Sequence, residues 1–322
     1  MSGVAPDLRL WNLTRGALGT KALGIVADLR VADALATGPR NVKEIAETVD
    51  ADPDTLRRLL RALASDGVFA EEEPGVFRNT DASELLRRDG NRGGRWPEFA
   101  HLWGFSCYAA IAELDAQKRD VPFQRAFGTD FWSWLAANPE ERLNFDRAME
   151  GGRAELSERL AVLEWRGDET VVDIGGGSGT LLRELLDRRP GLRGIVFDLP
   201  ETDRDQEQLG QEITFAAGNF FESVPRGDAY VLSKILHDWD DEHASKILRT
   251  VRAAAPDHAR LLVSDSVIPA GNEPSGAKWL DILMLVLQRG RERTANEWQA
   301  LLEGAGFGID EIEDGLIQAS CR

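Results

Sequence analysis

The run Val171-Val172-Asp173-Ile174-Gly175-Gly176-Gly177-Ser178-Gly179-Thr180 constrains the fold of this chain more than any other stretch. A β-branched segment ends there in a glycine-rich turn that opens directly into the amphipathic pattern Leu181 to Leu186. Strand, tight turn and helix in that order are the crossover of an α/β sheet, and the turn brings bare backbone N–H groups close to a ligand. The glycine spacing is G-x-G-x-G. A dinucleotide site requires its third glycine where Thr180 stands, which disfavours a nicotinamide cofactor.

The rest of the second half repeats this grammar. Strands are expected at 170–174, 194–198, 213–217, 228–233 and 259–265, with a closing pair within 307–319. Helices are expected at 179–188, near 202–210, and at 241–254, 274–288 and 294–304. Such alternation builds a doubly wound sheet with right-handed crossovers, and ligands bind at the carboxyl ends of its strands. Asp173 precedes the glycine turn, and Asp198 closes the next strand, Gly194-Ile195-Val196-Phe197-Asp198. That pairing is the pattern of an S-adenosylmethionine site, with Asp198 on the ribose hydroxyls and the turn facing the methionine part.

From residue 8 to about 155 the pattern is helical instead. Val42 to Val49 and Asp54 to Leu63 read as two helices joined by a short Asp-Pro turn, with Asp54 as the N-cap of the second. Gly67-Val68-Phe69-Ala70, the turn Glu71-Glu72-Glu73-Pro74-Gly75 and Val76-Phe77-Arg78 follow as a hairpin, which completes a winged-helix pattern. Arg57, Arg58 and Arg61 on the second helix raise the possibility of a DNA reader. A wing of three glutamates, in a chain with 38 basic and 55 acidic residues and a net charge of −17, meets phosphates with like charge and disfavours nucleic acid and anionic membrane surfaces. The patterns Lys21 to Ala36 and Trp103 to Ala116 are apolar on more than one face, which favours burial against a second subunit. No secretion signal or membrane span is legible, and the expected location is the cytoplasm. Cys107 and Cys321 form no CxxC pair, and the four histidines lack metal-ligand spacing, so free thiols and no structural metal are expected.

Chemistry is expected around His237. It follows the strand 228–233, just before an acidic cluster, Asp238 to Glu242, that suits the start of the next helix. Asp265 ends the following strand, and Glu292 lies in the turn Arg289-Gly290-Arg291-Glu292-Arg293-Thr294. An imidazole flanked by two carboxylates has its tautomer fixed and its protonated form stabilised. The competing reading makes Asp265 a turn cap and pairs Glu292 with Arg291 or Arg293.

Taken together, these motifs resemble the small-molecule O-methyltransferases of the plant caffeic-acid type and their bacterial natural-product relatives. The resemblance runs through Asp173 to Gly179, Phe197-Asp198-Leu199-Pro200, Gly218-Asn219-Phe220-Phe221, Leu236 to Glu242, Asp281-Ile282-Leu283-Met284, Gly290 to Thr294 with Glu297, and Ala305-Gly306-Phe307. It implies a Rossmann-like doubly wound methyltransferase sheet of seven strands behind an N-terminal, mainly helical winged-helix dimerisation domain. It also implies a homodimer through the N-terminal helices, and S-adenosylmethionine as methyl donor with S-adenosylhomocysteine as product. The expected boundaries are a dimerisation domain at 1–100, a helical substrate-cap region at 101–160 and a catalytic domain at 161–322.

By resemblance, Asp173, Gly175, Gly177, Asp198, Leu199 and Ser233 belong to the cofactor site, with Asn219 and Phe220 holding the adenine. His237 is the general base, bracketed by Asp265 and Glu292. Two positions depart from the family pattern: Asn219 stands where aspartate is usual, and Ser233 where plant members have lysine. The acceptor site is expected to draw on Trp103, Phe131, Trp132, Phe145, Met149, Asp238, Asp281 and Met284, with Trp279 and Leu287 as further candidates, since an aromatic wall suits a flat acceptor. The resemblance implies an in-line methyl transfer to a phenolic hydroxyl. An ordinary histidine is a poor base for it, about 3.5 pKa units or roughly 5 kcal/mol short of a phenol. The alternatives are a relative that binds the cofactor but performs hydroxylation, decarboxylation or a pericyclic step, and a winged-helix regulator that senses it.

Overall fold

The computed structural model describes residues 5–88, 95–149, 153–202 and 209–322. Its contacts divide the chain into two compact units, residues 1–151 and 152–322.

The second unit is built on a seven-stranded sheet. Its strands are β1 (Thr170–Ile174), β2 (Arg193–Asp198), β3 (Ile213–Ala217), β4 (Ala229–Ser233), β5 (Arg260–Ser264), β6 (Phe307–Glu313) and β7 (Leu316–Cys321). They lie in the order β6-β7-β5-β4-β1-β2-β3. The five central and outer strands β3, β2, β1, β4 and β5 are parallel, while β7 runs antiparallel to both β5 and β6. Burial on both faces explains why the parallel strands read as unbroken apolar runs. Val172 and Ile174 of β1 pack on one side with Leu248 and Val251 of helix Asp241–Ala254 and Trp298 of helix Ala295–Glu303. Val171 packs on the other side with Leu160, Leu182 and Leu185, from helices Arg153–Ala161 and Thr180–Arg188.

The strand order reverses between β1 and β4, which opens a crevice at their carboxyl ends, the usual ligand position in a doubly wound sheet. The remaining elements fall within a residue or two of expectation, with helix 274–288 running from Gly276 to Gln288 and the last strand extending to Cys321. The helix expected near 202–210 lies mostly outside the described residues; its entry is a 3₁₀ turn, Pro200–Thr202.

In the first unit, helices Val42–Val49 and Pro53–Ser65 and the hairpin Phe69–Glu73 with Val76–Asn79 form around Ile45, Leu56, Leu60, Phe69 and Phe77. A two-residue strand, Arg40–Asn41, adds to the hairpin as a third strand. Three sequence expectations are corrected. The N-cap of the second helix is Asp52, whose Oδ2 accepts from Thr55 N at 2.7 Å; Pro53 suits the first helical position, so the cap falls one residue before it, and Asp54 pairs instead with Arg58 at 2.8 Å. The stretch Lys21 to Ala36 is not one helix: helix Pro6–Asp28 stops, and Arg30 takes a left-handed φ of 55° before Val31–Ala34. The stretch Trp103 to Ala116 is likewise cut at Phe105, between helices Trp96–Gly104 and Ser106–Ala112. There the backbones of Gly24 and Gly104 meet so closely that a Cβ on Gly104 would sit 2.8 Å from the Gly24 Cα. Among the described residues no helix is long and apolar enough to cross a membrane.

His101 ties three helices of this unit together. Its Nδ1 lies 2.9 Å from Asp28 and its Nε2 3.2 Å from Glu141 of helix Pro139–Met149. Hydrogen bonds to these two carboxylates raise its pKa to about 9 against the opposing effect of burial. A histidine whose pKa is raised on folding stabilises the fold below its unfolded value near 6.5 and loses that contribution as the pH climbs through about 9. Urea unfolding across this window therefore shows stability falling with pH, and His101→Gln removes up to about 1.4 kcal/mol per pH unit of that slope. An unchanged slope contradicts the assignment.

Candidate active site

The glycine turn leaves the end of β1 in a conformation closed to most side chains: Gly175, Gly177 and Gly179 have φ values of 70°, 57° and 72°. A Cβ on Gly175 would lie 2.4 Å from Ile235 Cδ1, and one on Gly176 would lie 2.7 Å from Asp173 Oδ2. Gly175 N donates to Phe197 O at 2.8 Å, stitching the turn to the neighbouring strand β2. At the end of β2, Asp198 accepts from Gly177 N at 2.8 Å and from Leu199 N at 2.7 Å, so its carboxylate is aimed before any ligand arrives. Asp173 is buried under the turn, whereas Leu199 is 46% exposed.

After β3, Gly218 N donates to Asp198 O at 2.9 Å. The Asn219 amide closes its own loop, its Oδ1 accepting from Phe221 N at 3.0 Å and its Nδ2 donating to Glu222 at 3.2 Å. Phe220 stands beside Phe221 and Trp239 in an edge-to-face cluster. Ser233 is the half-buried last residue of β4, in register with Ser264 of β5, while the exposed Lys234 turns away at φ 57° with its Nζ 3.5 Å from Ser266 Oγ. A strained cradle of backbone amides beside a pre-aimed carboxylate fits a nucleoside cofactor that offers a ribose diol.

His237 lies on the 3₁₀ turn Leu236–Asp238 just past β4 and is 7% exposed. Its Nδ1 is 2.7 Å from Glu292 Oε1 and 3.9 Å from Asp265 Oδ1, and its Nε2 is 3.6 Å from Asp238 Oδ1. Asp265 and Glu292 are each 1% exposed. Among the described residues, neither oxygen of Asp265 has a hydrogen-bond partner, nor does Glu292 Oε2. Glu292 therefore meets the imidazole rather than a neighbouring arginine, and Asp265 caps no turn. Burial alone would depress the imidazole pKa, but Asp265, Asp238 and Glu292 outweigh it and raise it to about 9. Burial lifts the Asp238 carboxyl to about 7, with Asp265 and Glu292 adding to the rise and His237 opposing it. Burial also raises Asp265 above the ordinary carboxylate range.

The loop 290–293 holds this arrangement from behind. Arg291 N donates to His237 O at 2.8 Å, and a Cβ on Gly290 would lie 2.2 Å from that same carbonyl. Glu292 N donates to Asp281 Oδ1 at 2.9 Å, which gives Asp281 a hold on the carboxylate's backbone. Gln288 Nε2 donates to Asp238 Oδ1 at 3.3 Å. Met284 and Leu287 are buried on helix Gly276–Gln288, and Trp279 is 63% exposed.

In the first unit, Phe131 is 1% exposed among Phe123, Trp132 and Phe145, which makes it core; Trp132, Phe145 and Met149 are half-buried. Trp103 is half-buried with its Nε1 enclosed and lacking a partner among the described residues. Sequence reasoning missed one residue, the fully buried Arg293, which it read only as a possible partner for Glu292. Its sole signal was a cation beside that carboxylate.

Comparison with known proteins bears on the whole chain. The O-methyltransferase domain family matches residues 108–308, and the O-methyltransferase dimerisation domain family matches residues 11–89. The phenazine O-methyltransferase of Lysobacter antibioticus is 36% identical over 94% of this chain and 91% of its own length. The O-demethylpuromycin-O-methyltransferase of Streptomyces alboniger is 37% identical over 94% of this chain and 84% of its own. Among solved structures, an O-methyltransferase from neocarzinostatin biosynthesis, in complex with S-adenosyl-L-homocysteine and 1,4-dihydroxy-2-naphthoic acid, superposes with a TM-score of 0.80 at 32% identity, covering 94% of this chain and 96% of that one.

The electrostatics of the site are directly measurable. Long-range proton–nitrogen NMR spectra of the ligand-free protein are expected to show the His237 ring protonated on both nitrogens at neutral pH and titrating near 9. Glu292→Gln removes a negative neighbour and moves that midpoint downward. A neutral ring at neutral pH contradicts the electrostatic reading.

Proposed function

The chain belongs to the O-methyltransferase family, with both its catalytic and its dimerisation domain, and on that premise we propose that it moves the methyl group of S-adenosylmethionine to a phenolic hydroxyl of an aromatic natural product, with His237 as the general base. The observation that carries the proposal is the 2.7 Å contact between His237 Nδ1 and the buried Glu292, placed beyond the same sheet edge as the glycine turn and Asp198. Glu292 accepts the hydrogen bond of Nδ1–H, which leaves Nε2 as the nitrogen that accepts from the acceptor hydroxyl.

The carboxylates do more than orient the ring. With its pKa raised to about 9, the imidazole lies within about one unit of a phenol near 10, so most of the mismatch of an ordinary histidine is gone. The cost is occupancy: a raised pKa leaves less of the ring in its basic form at neutral pH. When bound, S-adenosylmethionine supplies an electrophilic methyl group on positive sulfur. The residues that hold it in this reading are Asp173, Gly175, Gly177, Asp198, Leu199, Asn219, Phe220 and Ser233.

In the first unit we assign acceptor binding to Trp103, Trp132, Phe145 and Met149, and in the second to Asp238 and Met284; Trp103 Nε1 has no hydrogen-bond partner among the described residues. The phenazine and naphthoic acid in the relatives' names agree with a flat, aromatic acceptor. The same reading makes the enzyme a cytoplasmic homodimer that needs no metal and binds neither nucleic acid nor membrane. Its dimer contact includes the exposed Leu10, Trp11, Leu13 and Leu18 of the first helix.

The test is conversion of S-adenosylmethionine to S-adenosylhomocysteine across a panel of phenols and aromatic acids, with product masses read in parallel. The expected result is a gain of one methyl group that falls by about two orders of magnitude or more in His237→Ala. A substrate that instead loses carbon dioxide, gains oxygen or rearranges while the cofactor persists refutes the proposal.

A further inference from the structure

Arg293 is 0% exposed, and its guanidinium reaches the turn that carries His237, the start of the following helix and its own loop. Nη1 donates to Leu236 O at 2.9 Å and Nη2 to Trp239 O at 2.9 Å, the carbonyls on either side of His237 and Asp238. Nε donates to Asp241 Oδ1 at 2.9 Å, and Nη1 also reaches Arg291 O at 3.3 Å. The cation lies 5.1 Å from the centre of the Trp298 ring. Its one carboxylate partner, Asp241, is 55% exposed and shared with Arg291.

A buried arginine held by one solvated carboxylate and by backbone carbonyls is a weak device for stability, since well-packed apolar replacements of buried charges are often neutral or better. It is an effective device for geometry. The planar fork fixes three directions at once, which a lysine ammonium on a flexible stem does not. Both ends of the turn that presents His237 are fixed by this fork, and the carbonyl of His237 itself is held by Arg291 N. The residue directly before Arg293 is Glu292, so one short loop sets the position of the imidazole and of its carboxylate partner.

We propose that Arg293 is a positioning residue of the reaction, clamping the turn Leu236–Trp239 so that His237 keeps its contact with Glu292. This inference rests on the reading of His237 as the base. Asp241 acts through Arg293 by anchoring its Nε.

The experiment is a double-mutant cycle of Arg293→Lys and His237→Ala, with kcat, acceptor KM, S-adenosylhomocysteine affinity by calorimetry and the pH profile of kcat/KM measured for each variant. Arg293→Lys is expected to lower kcat about 30-fold, with KM and S-adenosylhomocysteine affinity within about twofold, and to move the rising limb of the pH profile to lower pH as the contact with Glu292 loosens. In the His237→Ala background the same change is expected to cost nothing further. Asp241→Asn, a milder loosening of the same clamp, is expected to give a smaller fall of the same kind and keeps the test open if Arg293→Lys does not fold. An equal loss in both backgrounds, or a lower melting temperature with unchanged kcat and pH profile, overturns the positioning role alone. Wild-type kcat in His237→Ala overturns the base reading and this inference with it.

Discussion

The catalytic unit is organised around one imidazole set among three carboxylates. Asp238, Asp265 and Glu292 all lie within 4 Å of His237, and two of them are fully buried. Like charges brought together in a low-dielectric interior are unfavourable, which raises the pKa of Asp238 and Asp265 as well as that of the ring between them. The fold keeps them there with backbone contacts. His237 follows β4, Asp265 follows β5, and Glu292 is held on the loop after helix Gly276–Gln288 by Asp281. Three separate elements are thus locked to one ring, and displacement of any of them changes its basicity.

The glycine-turn side of the site has the opposite character. It consists mainly of backbone geometry, with glycines at positive φ and amides drawn toward the Asp198 carboxylate. Both sides depend on the same topological feature, the reversal of strand order between β1 and β4. The glycine turn leaves β1, and the turn carrying His237 leaves β4, its nearest neighbour on the other side of the reversal. Methyl donor and base are brought together in this account by neighbouring strands of one sheet.

Much of this was legible in the sequence because its causes are local. Apolar runs of strand length, the glycine spacing and the acidic start of helix Asp241–Ala254 each reflect a constraint acting over a few residues. What was not legible depended on contacts distant in sequence or on single backbone angles. Asp54 looked like a cap although the adjacent Pro53, which suits the first helical position, pointed one residue earlier to Asp52. The helix break at Arg30 is one left-handed residue without a glycine to announce it. Arg293 binds carbonyls 54 and 57 residues away, and carbonyls leave no mark on the sequence pattern. The acceptor wall was the least legible, because buried aromatic residues at helical spacing serve a core and a ligand equally well, as Phe131 shows.

The central claim is that His237 receives the acceptor proton while Glu292 holds the other side of the ring. A crystal structure of the enzyme with S-adenosylhomocysteine and its best acceptor tests this most directly. The account predicts the reacting oxygen at about 3 Å from His237 Nε2, with the His237–Glu292 contact intact on the opposite nitrogen. An acceptor oxygen that instead rests on Asp238, or lies out of reach of the imidazole with the cofactor product in place, contradicts it.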